Sequence, residues 1–209
     1  MDVKELINSI NTFNVKIVYD TQLETKNNLK NGKPLYFTPV EGKEKSVYHN
    51  KKNKGDFVSS TASIHIPNLS IEYLINIFEC DGTGIHELIK NTINPYCNLG
   101  VPKDVVYVIF LFLHEVGHWQ QFINLGKNVE KFSNLDIDAR KDNFTKFNQL
   151  EQSRHERIKK GNDCPLTFNE KKLCQQYMQE YRDIPMEREA DEFALSQMLE
   201  VLTLYKNQI

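Results

Sequence analysis

Residues 105–122 read VVYVIFLFLHEVGHWQQF: an apolar run from Val105 to Leu113 that ends in two histidines and a glutamate. A membrane span needs about 20 apolar residues, so this shorter run is expected to be a core helix. Pro102 and Asp104 suit its first turn, proline through its fixed φ and aspartate through the positive helix end. Gly126 is the expected stop. In a helix, side chains four apart share a face, with Cβ atoms about 5–6 Å apart. His114 and His118 can therefore close on one ion at about 2.0–2.1 Å from each nitrogen. Glu115 is turned about 100° from His114. It stands beside such an ion without pointing at it, which suits a carboxylate that handles water. Taken alone, the motif also fits a pair of satisfied core histidines.

A second feature stands in PMEREADEFALSQM, residues 185–198. Projected at about 100° per residue, Glu187 falls inside the apolar stripe of Ala190, Ala194, Met198 and Val201, whereas Glu189 and Glu192 face water. A carboxylate buried without a partner costs several kcal/mol, so Glu187 is expected to be neutralised, paired or bound to a cation. A favourable helix-end charge effect of under about 1 kcal/mol is the weaker explanation. Ala190 and Ala194 would let this helix approach the histidine helix closely. Asp191, one turn after Glu187, is oriented to accept a hydrogen bond from His114, as groups behind a metal-bound imidazole do. A salt bridge to Arg188 or Lys172 is its alternative.

The remaining chain supplies a frame. Alternation in FNVKIVYD puts Phe13, Val15, Ile17 and Tyr19 on one side of a strand, and TASIHIPN puts Ala62, Ile64 and Ile66 opposite His65. PLYFTPV and SVYHN are weaker strand candidates. SIEYLINIFE and GIHELIKNTI read as helices closed by turns. Residues 127–183 change character, with charge spread among Phe144, Phe147, Leu150 and Ile158 at helical spacing. That pattern predicts a helical insertion. TFNE is a capping box opening a helix at Thr167, and the last helix starts at Pro185. The expected architecture is a single α+β domain over residues 1–209, a small mixed sheet of three or four strands on the histidine helix.

The chain has 209 residues, with Lys+Arg 26 against Asp+Glu 28 and a formal net charge of -2. No global positive field favours nucleic acid, and no segment favours a membrane. Cys80, Cys97, Cys164 and Cys174 form neither a CxxC pair nor a disulfide framework. With no signal-peptide pattern in MDVKELINSINTF, a reducing, cytoplasmic setting is expected.

HEVGH at 114–118 followed by MEREADEFALSQML at 186–199 resembles the ImmA/IrrE-type metallopeptidases, gluzincin-like proteins with H-E-x-x-H on one helix and E-x-x-A-[ND]-x-F-A on a later one. The resemblance implies a zincin-like fold and one zinc ion on His114, His118 and Glu187. It makes Glu115 the catalytic acid/base and Asp191 the supporting acid. It also implies a sheet whose edge strand aligns the substrate backbone, for which ASIHIPN is the candidate. Relatives of this kind often act on a repressor or other regulatory protein, so a protein or peptide substrate is expected. In the family the two motifs usually lie closer together, whereas here residues 119–186 intervene, and the insertion at 127–183 is placed to lid or narrow the cleft.

Other residues carry weaker readings. Tyr177, Tyr181 and His155 are candidate donors to an oxyanion. Gly117 either keeps space open beside the ion or serves helix packing. Cys97 is a rival third ligand that lacks the flanking pattern of cysteine-ligated hydrolases, and Trp119 reads as packing. His49, His65 and His86 have no partner at metal spacing. The chief alternative to a zinc-dependent endopeptidase is a catalytically silent scaffold of the same fold, and a closed structural zinc site is the third.

Overall fold

The computed structural model describes residues 1–20, 34–51, 55, 57–79, 85–135, 140, 141, 143, 145, 146, 149 and 167–208. Its first helix, α1 (Val3–Ile10), begins at a capping box: the Asp2 side chain accepts from the Glu5 amide, and Glu5 reaches back to the Asp2 amide. Val3, Leu6, Ile7 and Ile10 are buried at the i, i+3, i+4, i+7 spacing of one helix face.

Three short strands form one mixed sheet, β1 (Lys16–Tyr19), β2 (Tyr36–Thr38) and β3 (Ser63–Ile66), in the order β1-β3-β2. β1 runs parallel to β3 with Ile17 opposite Ile64, and β2 runs antiparallel to it with Phe37 opposite Ile64. Here one expectation is corrected. The strand within ASIHIPN is the central strand, so it cannot align a substrate; among the described residues β2 is an edge strand, in contact with the histidine helix. Ser63, Ile64 and Ile66 are all fully buried, the mark of a strand covered on both faces. A second correction concerns SVYHN. It belongs to α2 (Gly42–Asn50), in which only Tyr48 is buried. Glu44 in that helix accepts from Ser59, from the Ser60 amide and hydroxyl, and from Thr61, which ties the helix to the approach of β3.

Two helices follow, α3 (Ile71–Glu79) and α4 (Ile85–Ile93), and a 3-10 turn at Asn94–Tyr96 leads to α5 (Lys103–Asn124). Every residue of α5 from Val105 to His114 is buried. The apolar run is the centre of the core, covered on all sides by α1, the sheet, α3, α4 and the last helix. Gly126 and Lys127 then take positive φ, 68° and 59°, and reverse the chain. The left-handed conformation is the reason for glycine at the first of these positions.

Residues 129–135 are helical, as are the described residues 140, 141, 143, 145, 146 and 149. The expected helical insertion is supported to that extent; Phe144, Phe147, Leu150, Ile158 and His155 lie outside the described residues. α6 (Phe168–Arg182) opens at the capping box of Thr167 and Glu170, and α7 (Pro185–Lys206) has its proline in the first turn. α7 lies along α5 in the most extensive helix contact of the molecule, burying Glu187, Ala190, Ala194, Met198, Val201, Leu202 and Tyr205. The helical projection predicted this stripe as far as Glu187, Ala190, Ala194, Met198 and Val201. Among the described residues the protein is α+β, mostly helical, with a three-stranded mixed sheet, and no helix is long and apolar enough to cross a membrane.

Candidate metal centre

His114, His118 and Glu187 meet where α5 crosses the first turn of α7. One ligating atom of each lies within 4.8 Å of the others, and all three residues are buried. Nε2 of His114 is 3.1 Å from Nε2 of His118 and 3.2 Å from Oε2 of Glu187, and Nε2 of His118 is 3.6 Å from Oε1 of Glu187. A divalent ion centred among these atoms would stand near the usual ligand distance from each. The three residues could hold a metal ion. Among the described residues no other group of His, Cys, Asp and Glu side chains is placed to do so.

Hydrogen bonds behind the rings fix which nitrogens face inward. Nδ1 of His114 lies 2.8 Å from Oδ1 of Asp191, a group that only accepts, so Nδ1 carries the hydrogen. Nδ1 of His118 lies 2.9 Å from Oε1 of Gln121. That amide is oriented because its nitrogen donates to the Met186 carbonyl at 2.8 Å and to Glu189 at 3.2 Å. Its oxygen must therefore accept from His118. In the neutral rings both Nε2 lone pairs then converge on one point. Oε2 of Glu187 faces the same point, buried and without a hydrogen bond, although Nε2 of His114 stands 3.2 Å away. Three electron-rich atoms around a common centre, without protons between them, suit a cation.

Electrostatics agree. Burial disfavours the charge of Glu187, yet the two imidazoles outweigh burial and hold its carboxyl far below the ordinary range. Burial also lowers His114, but its hydrogen bond to Asp191, the Glu187 carboxylate beside its other nitrogen and the charge of Glu115 carry it up to about 9. Without an ion, a proton on His114 takes part of its place.

Close helix approach makes the site. A Cβ built on Gly117 would stand 2.8 Å from Cα and 3.0 Å from the carbonyl oxygen of Ala190. Gly117 is therefore a packing residue, which decides between its two readings. Arg182 donates to Asp191, and neither Arg188 nor Lys172 does so; Arg188 pairs weakly with Glu192 at 3.9 Å. Arg140, from the segment between the ligand helices, donates to Oε1 of Glu187, and its guanidinium lies 5.0 Å from the centre of the Tyr181 ring.

A cleft of about 310 Å³ opens onto the centre, with Glu115, Arg140 and Tyr181 in its wall beside the three potential ligands. Leu35, Ile85, Ile89, Tyr107 and Leu111 add apolar lining to it. Glu115 is half-buried, and its Oε2 accepts from the Phe37 amide at 2.8 Å. The edge strand thus reaches across to the carboxylate. Of the candidate donors, Tyr181 lines the cleft and Tyr177 does not. Burial, followed by the charge of Glu187, pushes the Tyr181 phenol well above its ordinary value and keeps it protonated.

Compared with protein-family models, with curated proteins and with solved structures, the chain matches none. The resemblance thus rests on its two motifs. The geometry they meet in is independent of that likeness, because the ring orientations and the buried oxygen follow from the residues themselves.

Cys97, the rival ligand, directs its sulfur to the Ile93 carbonyl at 3.6 Å and takes no part in the group. Trp119 packs against the core as expected. His65 is not a solitary strand residue: it stacks on Tyr36 with ring centres 4.5 Å apart and stands between Asp20 and Glu41, which address opposite ring nitrogens. Sequence reading missed Gln121, Arg140, Arg182 and the Phe37 amide. Gln121 alone carried a local signal, three residues beyond His118 and on its face.

Proposed function

We propose that the protein is a zinc-dependent endopeptidase of zincin-like architecture, holding one zinc ion on His114, His118 and Glu187 and acting on a protein or peptide substrate. The observation that carries this reading is Glu115, a carboxylate adjoining the metal centre but outside it, in the wall of a cleft of about 310 Å³ and oriented by the Phe37 amide. A closed structural site has no use for such a group. Bound there, zinc supplies a Lewis acid and lowers the pKa of water towards about 7.

The chain's own residues divide the rest of the work. Asp191 and Gln121 hold the two imidazoles in the tautomer that presents Nε2. Gly117 and Ala190 bring the ligand helices together. Glu115 takes the proton of the attacking water and later gives it to the departing amine, so that one carboxylate serves as base and then as acid. The Phe37 amide engages only Oε2 of Glu115 and holds the carboxylate in place for that task. Leu35, Ile85, Ile89, Tyr107 and Leu111 offer apolar lining to a substrate side chain. A regulatory protein such as a repressor is the substrate class that the motif resemblance suggests.

Glu115→Gln tests the reading. The variant is expected to keep one equivalent of zinc and to lose cleavage of proteins in a host lysate, measured by the appearance of new N-termini against the wild type. It should also retain by affinity capture the proteins whose fragments the wild type releases. A scaffold would capture the same partner with wild-type protein or Glu115→Gln and generate no new N-termini, and that result would overturn the enzymatic reading.

A further inference from the structure

α2 carries an exposed line of basic and apolar side chains along one face, Lys43, Val47 and then Lys51 at its C-cap, each four residues from the last. Nζ of Lys51 lies 5.7 Å from the centre of the Phe57 ring. Next to that ring, Val58 bridges to Asn128, and the Ser59 amide donates to the Lys127 carbonyl. The line therefore passes over Val58 to Lys127, and on to Lys131 and Leu135, one turn apart on the helix at 129–135. Val47, Val58 and Leu135 are 58%, 61% and 55% exposed, and the four lysines are exposed between them.

The described acids of this lobe are turned inward. Glu44 accepts from Ser59, Ser60 and Thr61, and Oε2 of Glu130 accepts from the Tyr48 hydroxyl at 2.8 Å. Among the described residues Lys43, Lys51, Lys127 and Lys131 make no ion pair, whereas Lys16, Lys90 and Lys146 each have a carboxylate partner. In the sequence, residues 42–58 hold five lysines against two acids, Glu44 and Asp56, on a chain whose formal net charge is -2. Such a local positive field attracts a partner of opposite sign. Apolar side chains standing between the charges call for a partner that brings aliphatic groups with its acids. A phosphate backbone would meet the lysines and leave Val47, Val58 and Leu135 unmatched. The surface also leads to the candidate centre: Phe132 and Ser133, on the helix at 129–135, and Pro39, ahead of α2, line the cleft.

Resting on the metallopeptidase reading, we propose that this surface docks an acidic segment of the protein substrate, one in which carboxylates alternate with aliphatic side chains, and so presents the neighbouring stretch of that substrate to the cleft. The lysines give the docked segment its sign, and the two valines and Leu135 give it a contact that outlasts screening by salt. Recognition is then divided between the cleft, which holds the bond to be cut, and a separate surface that selects which protein is brought to it. The start of the segment between the ligand helices supplies half of that surface.

Isothermal titration of the full-length protein tests this with two peptides of about twelve residues, one alternating Glu or Asp with Leu or Val, the other with Gln and Asn in place of the acids. At low salt the acidic peptide is expected to bind about tenfold tighter or more, and the gap should close towards about 1 M salt, where screening acts within about 3 Å. Lys43→Gln, Lys51→Gln, Lys127→Gln and Lys131→Gln combined should erase the preference, and the same four positions changed to Arg should keep it. Lys51→Gln and Lys131→Gln singly should each weaken the acidic peptide about threefold, which decides the matter if the combined variant fails to fold. Equal affinity for the two peptides, or a preference that survives the Gln substitutions, overturns the proposal and leaves the metallopeptidase reading intact. Tighter lysine-dependent binding of a short DNA duplex or of phosphatidylserine vesicles overturns it as well. Excess acidic peptide should also suppress about tenfold the new N-termini that the wild type releases in a lysate, and binding without suppression overturns the docking of substrate. A wild type that binds the acidic peptide through these lysines yet releases no N-termini loses the metallopeptidase reading and keeps the acidic docking surface.

Discussion

Replacing Gly117 by alanine tests whether the helix crossing sets the metal geometry. The added Cβ would meet Cα of Ala190 at 2.8 Å, its carbonyl oxygen at 3.0 Å and its Cβ at 3.1 Å. Ordinary carbon contacts lie at about 3.5–4.0 Å, so α5 and α7 must part by roughly 0.7–1.2 Å. Glu187 lies one turn before Ala190 on the helix that moves. Metal–ligand distances tolerate about 0.2 Å, so the required shift is several times what the site can absorb. Overpacking costs about 1–3 kcal/mol, and alanine returns about 1 kcal/mol of helix propensity, which leaves a net loss of about 0–2 kcal/mol. Stability should therefore change little while zinc affinity falls by about tenfold or more. Chelator competition measures the second quantity and urea unfolding of the metal-free protein the first. Adding Ala190→Gly should not restore affinity, because the closest atoms belong to the backbone. Wild-type zinc affinity in Gly117→Ala would refute the reasoning.

The other predictions concern the groups around the ligands and the sheet. Asp191→Asn and Gln121→Ala each remove the group that sets one imidazole, and each should weaken zinc binding by about 10–100-fold in the same competition assay. His114 is held up at about 9 in the metal-free protein, so zinc must displace its proton at neutral pH. Apparent affinity is then expected to rise about tenfold per pH unit between about pH 6.5 and 8, and a flat profile would count against the site. Glu44 is lowered from 4.5 to about 2, its small burial cost outweighed by hydrogen bonds from Ser60, Ser59 and Thr61. A lowered carboxyl stabilises the fold above its unfolded value and loses that contribution as pH falls from 4.5 to about 2. Glu44→Gln should cost about 1 kcal/mol at pH 7, once solvent screening is allowed for, and the difference from wild type should vanish near pH 2. Urea midpoints across pH check this.

What was legible in the sequence is local in origin. The H-E-x-x-H spacing, the stripe that carries Glu187, the proline starts, the capping box at Thr167 and the stop at Gly126 depend on neighbours within a turn or two, and the structure has them as expected. Asp191 could be assigned to His114 because both were already placed on facing helices. Strand order was not legible, because alternation reveals faces and says nothing of which edge is paired. β3 is central because β1 and β2 pair with its two edges, a long-range choice that its own residues do not announce. SVYHN has the composition of a strand, but Tyr48 needs only one buried face and the ties from Glu44 favour the helix. Arg140 and the Phe37 amide reach the site through tertiary structure alone. One comes from a segment far along the chain, and the other is a backbone group that no side-chain pattern announces.

The central claim is one ion on three named atoms, and anomalous diffraction at the zinc absorption edge from crystals grown with zinc tests it most directly. The account predicts a single strong peak about 2.0–2.2 Å from Nε2 of His114, Nε2 of His118 and a carboxylate oxygen of Glu187. A peak at another group, or bonds to the Nδ1 atoms in place of Nε2, would contradict it.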